Sequence, residues 1–106
     1  MRQWQVAAAA AGMANNIPAD LRASIVNAPG PMAYPISGFT WILSYKEMTD
    51  KAKAVALTRL LYWGIYDGQK ASADLGYAPL PADIVKRADE MIQSIQAGGG
   101  KAFPGR

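Results

Sequence analysis

Few residue types in this chain are suited to catalysis, because it contains neither histidine nor cysteine. It therefore lacks the commonest general base in proteins and any thiolate nucleophile. Asp89 and Glu90 are adjacent, so on a helix their side chains point ~100° apart and do not form an acid–base pair. Asp20 and Asp83 each follow a Pro-Ala pair at the expected start of a helix, where a carboxylate stabilises the positive end. We therefore expect that the chain is not an enzyme and that it has no catalytic residue, no metal site and no cofactor.

Two glycine-containing stretches are candidates for holding an anion. Three glycines precede Lys101, but the G-x-x-x-x-G-K-[ST] spacing of a phosphate-binding loop is missing and no helix is expected after them. Ser37 and Thr40 place two hydroxyls beside Gly38, and a bulge glycine within a strand explains that arrangement without a ligand. Neither stretch by itself predicts a binding site.

The composition is that of one small and rather apolar domain. Of 106 residues, 51% are hydrophobic and 18% are charged, which argues against a disordered chain. The net charge of +3 is spread along the sequence without a basic run, so we expect no nucleic-acid partner. The alanine-rich start favours a helix over a signal peptide, because alanine has the highest helix propensity and makes a poor signal core.

Hydrophobic periodicity predicts a helix-rich chain with two strands. Asp50 is the expected N-cap of a long central helix. The last helix carries an apolar stripe, and its polar residues, among them Arg87 and Asp89, are expected to face water. In chain order the predicted elements are helix 3–14, strand 22–27, a proline-rich connector up to residue 35, strand 36–45, helix 51–70, helix 82–96 and a flexible tail.

The stretch YPISGFTWILSYK, residues 34–46, is apolar nearly throughout. Both faces of the strand predicted within it are apolar, with Ile36, Thr40 and Ile42 on one side and Phe39, Trp41, Leu43 and Tyr45 on the other. Such a strand belongs between two layers, and a pair of strands cannot supply that cover. The chain is therefore either a piece of a larger α/β domain or a unit that associates.

Trp63 lies almost opposite the apolar stripe of the central helix, among charged residues. Two interpretations are open. The indole is either a half-exposed lid over long side chains or a contact to a segment outside this chain.

Three phrases are specific in combination and in spacing: IPADLRASIVNAPGPMAYPISGFTWIL, KAVALTRLLYWGIYDGQKASADLGYAPLP and PADIVKRADEMI. Over roughly residues 5–96 the chain resembles the C-terminal part of the phosphate-binding receptor of phosphate ABC transporters. The resemblance implies a helix-rich α/β fragment of a two-lobed periplasmic-binding-protein-like fold, with one or two strands, completed by association. It also implies a periplasmic or membrane-anchored extracellular parent, with no signal segment expected in this chain.

The resemblance further implies a division of the chain into four parts. Residues 1–33 would end the second lobe, 34–38 would form the hinge crossing, 39–96 would return to the first lobe with a strand and two helices, and 97–106 would form the flexible tail. The expected hinge residues are Tyr34, Pro35, Ser37 and Gly38.

In the family that the chain resembles, phosphate is held by hydroxyls, backbone N–H groups, an arginine and an aspartate from earlier parts of the chain. The sequence motif that supplies these phosphate ligands is absent from this chain, so we expect no phosphate-binding residue in it. The predicted function is that of the C-terminal segment of a phosphate-binding receptor in an ABC-type phosphate uptake system, contributing hinge and lobe packing.

Two sets of partners follow from this interpretation. The intact parent would meet inorganic phosphate and the ABC permease. This chain would meet either the remaining receptor segments or a second copy of itself. The second possibility is the alternative function: a self-associating, domain-swapped module that binds no phosphate.

Overall fold

The computed structural model describes residues 2–105; Met1 and Arg106, which begin the first predicted segment and end the last, lie outside the described residues. Within residues 2–105 the chain forms three α-helices and one small mixed sheet, which confirms the helix-rich α/β class. None of these helices is long and apolar enough to cross a membrane. In chain order the elements are α1 (Gln3–Met13), β1 (Glu47–Met48), α2 (Lys51–Ile65), α3 (Ala82–Gln93), β2 (Gln96–Ala97) and β3 (Gly100–Lys101).

Helix α1 packs closely against its neighbours because it is built largely from small residues. Gly12 lies so near the following loop that a Cβ atom there would come within 2.2 Å of the Pro29 carbonyl oxygen. A short 3₁₀ turn, Ala14–Asn16, extends the helix beyond its predicted end. The buried residues that form the first apolar cluster are Ala9, Ala10, Ala14, Ile17, Ile25, Ala28 and Ile84 of α3.

Two polar residues of α3 hold the helices together. The Arg87 guanidinium donates hydrogen bonds to the carbonyl oxygens of Ala14, at 3.1 Å, and Pro18, at 2.8 Å. Asp89 accepts a hydrogen bond from the hydroxyl of Tyr66. The expectation that Arg87 and Asp89 face water is therefore wrong, because periodicity alone does not tell a solvated polar face from one that meets neighbouring donors and acceptors.

Helix α2 begins as predicted, since the Asp50 carboxylate accepts a hydrogen bond from the Lys53 N–H at 3.1 Å. It ends at Ile65, not at residue 70, and a 3₁₀ turn, Asp67–Ala71, follows. The Gln69 side chain explains this early end. Its amide donates to the Gly64 carbonyl at 2.9 Å and its oxygen accepts from the Leu80 N–H at 2.8 Å, which fixes the chain reversal.

The predicted flexible tail, residues 97–106, forms part of the sheet instead. Strands β2 and β3 pair as an antiparallel hairpin, in which Ala97 lies opposite Gly100. Gly98 and Gly99 connect them with φ of 62° and 83°, the positive values that a tight hairpin turn requires and that glycine adopts without strain. Because Ala102 and Phe103 are then buried, the glycine run is a turn and not a flexible linker.

The two predicted strands, 22–27 and 36–45, do not form in this structure. Residues 22–27 run into a turn in which Asn27 has a φ of 51°, although Ile25 is almost fully buried. Residues 39–45 have no regular secondary structure. A strand is stable only beside another strand, and within residues 2–105 none lies beside this stretch. The hydrophobic periodicity indicated two apolar faces, but it could not indicate that no second strand lies beside this stretch.

Candidate functional site

The four predicted hinge residues lie in one turn that is held to the body of the protein. The backbone N–H of Tyr34 donates to the carbonyl of Gln5 in α1 at 3.0 Å. The carbonyl of Pro35 accepts from the N–H of Asn27 at 2.7 Å. Ser37 is buried, and its hydroxyl donates to the Tyr34 carbonyl at 2.9 Å. These bonds fix residues 34–37 against α1 and the 26–27 turn.

Gly38 marks the point where this support stops. A Cβ atom built on Gly38 would meet no heavy atom within 4 Å, so the residue lies in open space. The structure thus brings Tyr34, Pro35 and Ser37 together in a fixed turn and leaves Gly38 at its free edge.

Residues 39–45 are named here the open segment. No backbone–backbone hydrogen bond joins them to any other residue in the range 2–105. Two side chains nevertheless attach their start to the body. Phe39 packs against the first apolar cluster, and the Trp41 indole N–H donates to the Leu21 carbonyl at 3.1 Å. The rest of the open segment has no such attachment among the interactions found in this part of the chain.

The apolar side chains of the open segment are exposed to an unusual degree. The exposed fraction is 71% for Ile42, 93% for Leu43 and 81% for Tyr45. Trp41 is half exposed in spite of its hydrogen bond. A contiguous apolar run at the surface indicates an interface with another polypeptide. Within residues 2–105 the predicted two-faced strand residues therefore lie in a run that no other backbone pairs with, and among their carbonyls that of Tyr45 accepts from the Ser44 hydroxyl.

Strand β1 follows the open segment in the sequence, with only Lys46 between them. β1 lies at the edge of the sheet and pairs in parallel with β2, with Glu47 beside Gln96 and Met48 beside Ala97. One residue earlier, the Lys46 carbonyl accepts from the Gln96 N–H at 2.8 Å. Residues 39–48 thus begin as uncovered chain and end as an edge strand, and an edge strand offers its second side to another strand.

The buried polar side chains offer little to an anion. Ser37 uses its hydroxyl on the Tyr34 carbonyl, and Thr58 uses its hydroxyl on the Ala54 carbonyl at 2.8 Å. Arg87 is engaged with two backbone carbonyls. Within residues 2–105, no group of three or more His, Asp or Glu side chains is placed to hold a metal ion.

The Asp20 carboxylate forms an ion pair with Arg22 that changes its pKa. Hydrogen bonds from the Arg22 backbone N–H and guanidinium lower the pKa of Asp20 below its ordinary value of 3.8. The pair is exposed at the surface, with the guanidinium 2.8 Å from the carboxylate. Because both charges are already matched, this turn is a local surface ion pair and not an anion site.

An aromatic groove of about 560 Å³ runs along the outer side of α2. Tyr62 stacks on Phe103 with ring centroids 4.7 Å apart, so the hairpin end forms one wall. Trp63 is 56% exposed, and its ring lies over Gly68, where a Cβ atom would come within 3.1 Å of it. Trp63 is thus half exposed above a glycine, and both predicted roles of its indole stay predictions. Sequence reasoning missed Phe103, for which an aromatic residue inside the glycine-rich tail was the available signal.

Comparisons with known proteins give the class to which the chain is similar. No protein-family model matches the chain, and no solved structure matches it. Among the curated relatives that match are phosphate-binding proteins, which confirms the resemblance expected from the sequence.

Three of these relatives carry the name phosphate-binding protein PstS. Those of two Xylella fastidiosa strains, 9a5c and Temecula1, are each 36% identical to this chain over 70 residues, which are 66% of this chain and 19% of the relative. The relative from Methanocaldococcus jannaschii is 34% identical over 77 residues, 68% of this chain and 20% of the relative. The chain therefore spans about a fifth of the length of the curated relatives that it matches.

Proposed function

We propose that this chain is a structural segment of a phosphate-binding receptor in an ABC-type phosphate uptake system. The observation that carries the proposal is the similarity of two thirds of the chain to about a fifth of the length of phosphate-binding proteins. The intact receptor would bind inorganic phosphate and deliver it to the membrane permease from the periplasm or the outer surface of the membrane. The chain itself is proposed to be no enzyme.

The phosphate ligands are proposed to lie outside this chain. An anion site in a protein needs unengaged N–H or hydroxyl donors, commonly at the start of a helix. The buried hydroxyls of Ser37 and Thr58 already donate to backbone carbonyls, and Arg87 donates to two more. The contribution of this segment is then mechanical: it positions and closes a receptor whose binding residues come from elsewhere.

The hinge is proposed at residues 34–38. One hydrogen bond ties Tyr34 to α1, a second ties Pro35 to the 26–27 turn and a third joins Ser37 to Tyr34, whereas a Cβ built on Gly38 would meet nothing within 4 Å. A closing motion between two lobes needs a few residues that absorb the change in backbone angles while their neighbours stay fixed.

A chimaeric receptor tests this function. The stretch of this chain that is similar to the Xylella fastidiosa 9a5c protein replaces the matching 70 residues of that protein. The proposal predicts that the chimaera folds and binds phosphate with an affinity close to that of the parent, because the replaced part carries packing and not ligands. A folded chimaera that has lost phosphate binding would contradict the proposal.

Two substitutions in the same chimaera test the hinge. Gly38→Pro fixes φ near −65° and is expected to weaken phosphate binding by roughly tenfold, about 1.4 kcal/mol, because closure is impeded. Gly38→Ala is the matched control and should change little, since open space surrounds this position. Equal affinities for the two variants would exclude a hinge at Gly38.

A second candidate function is self-association without phosphate binding. The open segment favours it, because three of its apolar side chains are 71–93% exposed and its backbone is unpaired within residues 2–105. The two functions differ in what covers the open segment. In the receptor a strand from the remaining polypeptide covers it, whereas in the self-associating module a second copy does so.

A further inference from the structure

We infer that this chain, by itself, forms a two-fold symmetric dimer in which residues 41–45 of two copies pair as antiparallel strands centred on Leu43. The inference deepens the self-association candidate and does not depend on phosphate binding. It rests on the free backbone, the register that the side chains permit, and the continuity of the open segment with the existing sheet.

The backbone of the open segment is the first element of the inference. Residues 39–45 make no backbone–backbone hydrogen bond with any residue in the range 2–105. Exposed N–H and C=O groups in a row are a template for pairing with another chain. The composition adds to this tendency, because isoleucine, tryptophan, tyrosine and threonine are enriched in strands.

The side chains define one register that suits two identical strands. With Leu43 opposite its own copy, Trp41 lies opposite Tyr45 of the second copy, twice by symmetry. Aromatic pairs across antiparallel strands are stabilising. Because side chains alternate along a strand, Trp41, Leu43 and Tyr45 of both copies share one face and form a patch of six apolar groups.

Charge also permits this register. The nearest charged residue, Lys46, lies opposite Thr40 of the second copy, so no like charges meet. Ile42 and Ser44 occupy the opposite face of the paired strands. Shifting one strand by a single residue would turn its apolar set to the other face, so the alternation selects this register over its immediate neighbours.

Continuity with β1 extends the pairing into a larger sheet. Residues 46–48 already pair with β2 on one side, and the other side of β1 is the sheet edge. A second copy that pairs along residues 41–45 meets this same edge. The dimer would join two three-stranded sheets through their edge strands, and the start of each open segment would stay attached through Trp41 to Leu21 of its own copy.

A second copy is the occupant because the edge needs a strand that this chain does not supply to itself. In a receptor such a strand would come from the part of the relatives that this chain does not match. An isologous pair brings two identical uncovered edges together with one symmetry operation.

Analytical ultracentrifugation of the purified chain tests the dimer, with two matched variants. Leu43→Lys places two ammonium groups against each other at the two-fold axis and should give a monomer. Leu75→Lys replaces another highly exposed leucine, outside the open segment, and should leave the dimer intact. The expected mass of the unmodified chain is twice 11.3 kDa at high concentration. A monomer at every concentration, higher oligomers in place of a dimer, or a dimer that survives Leu43→Lys would overturn the inference.

Disulfide trapping tests the register independently. The chain has no cysteine, so Leu43→Cys introduces a single thiol. Opposite residues of an antiparallel pair have Cα atoms about 4.5–5.5 Å apart, within the range that a disulfide spans. Mild oxidation should link Leu43→Cys into a covalent dimer and should leave Leu75→Cys largely unlinked. Equal linking of both variants would show random collision and contradict the register.

These results are separable from the receptor proposal. Loss of the dimer in every experiment would remove the inference while the chimaera could still bind phosphate. Loss of phosphate binding in the chimaera would remove the receptor proposal and leave the ultracentrifugation result unchanged.

Discussion

Helix α2 and the open segment have similar composition, but only α2 forms regular secondary structure. Both are rich in apolar and aromatic residues. Helix α2 satisfies most of its backbone hydrogen bonds within itself, so it folds with only one face covered. The open segment is extended and needs a neighbouring strand for the same purpose. As a result Ala54 of α2 is fully buried, whereas Leu43 is 93% exposed.

The difference shows how a helix and an extended segment respond when no neighbouring strand is present. Helices keep their shape, and they need only enough contact to bury one stripe. A strand loses its regular structure together with its partner. The open segment accordingly contains the most exposed of the large apolar side chains in residues 2–105, Leu43 and Tyr45.

The largest contrast is expected between two isoleucines. Ile84→Ala should destabilise the chain by about 2–5 kcal/mol, because Ile84 is buried in the first cluster and its removal leaves a cavity. Ile42→Ala should leave the free energy of unfolding of the monomer nearly unchanged, since Ile42 is 71% exposed. Urea denaturation of both variants in the monomeric Leu43→Lys background measures the contrast. Equal losses would show that the open segment is packed in solution.

Two glycines should respond to alanine with opposite signs. Gly12→Ala should destabilise the chain by roughly 1–3 kcal/mol, because the new Cβ would lie within 2.2 Å of the Pro29 carbonyl and force the loop to move. Gly64→Ala in α2 should stabilise it by roughly 0.5–1 kcal/mol, since nothing lies within 4 Å and alanine favours the helix. Thermal unfolding gives both values. A stabilised Gly12→Ala variant would contradict the close approach of α1 and the loop.

The start of α2 gives a smaller effect. Asp50→Ala should cost about 1 kcal/mol, because the carboxylate that accepts from the Lys53 N–H is lost. Asp74→Ala removes an equal charge from an exposed position and serves as the control. If both variants lose the same stability, charge and not capping explains the result.

The smallest effect is expected at Asp20. Its pKa is lowered by hydrogen bonds from Arg22, so the carboxylate binds a proton less readily in the folded chain than in the unfolded chain. It therefore contributes stability above pH 3.8, and this contribution is lost as the pH falls through the lowered pKa. The ion pair is exposed, so the contribution is small. Asp20→Asn should flatten the stability curve slightly below pH 3.8, and an unchanged curve would mean that the pair does not persist in solution.

The sequence was informative wherever structure is local. Asp50 predicts the start of α2, and the apolar stripe of the last helix predicts α3 with Ile84 and Ile92 inside. Prediction failed where a residue depends on a distant partner. Leu43 lies in a predicted strand that has no neighbouring strand within residues 2–105, and Gln69 ends α2 through contacts with Gly64 and Leu80.

In the candidate site, too, features that depend on nearby residues could be predicted and those that depend on distant residues could not. The Ser37 hydroxyl bonds three residues back along the chain, so a turn at the proposed hinge follows from the local sequence. The stacking of Phe103 on Tyr62 joins residues 41 positions apart, and no local pattern indicates it. The glycine pair Gly98–Gly99 was a turn signal that composition alone presented as a flexible tail.

Hydrogen exchange of the backbone amides at several chain concentrations tests whether the open segment is unpaired in the monomer and paired in the dimer. We expect the amides of residues 40–45 to exchange rapidly in dilute solution. As the concentration rises, every second amide in this stretch should exchange more slowly because the two copies pair. The amides of α2 should stay protected at every concentration. Leu43→Lys should keep this stretch rapid at every concentration. Protection of residues 40–45 in the dilute monomer would contradict the claim, because it would mean that the chain already covers its own strand.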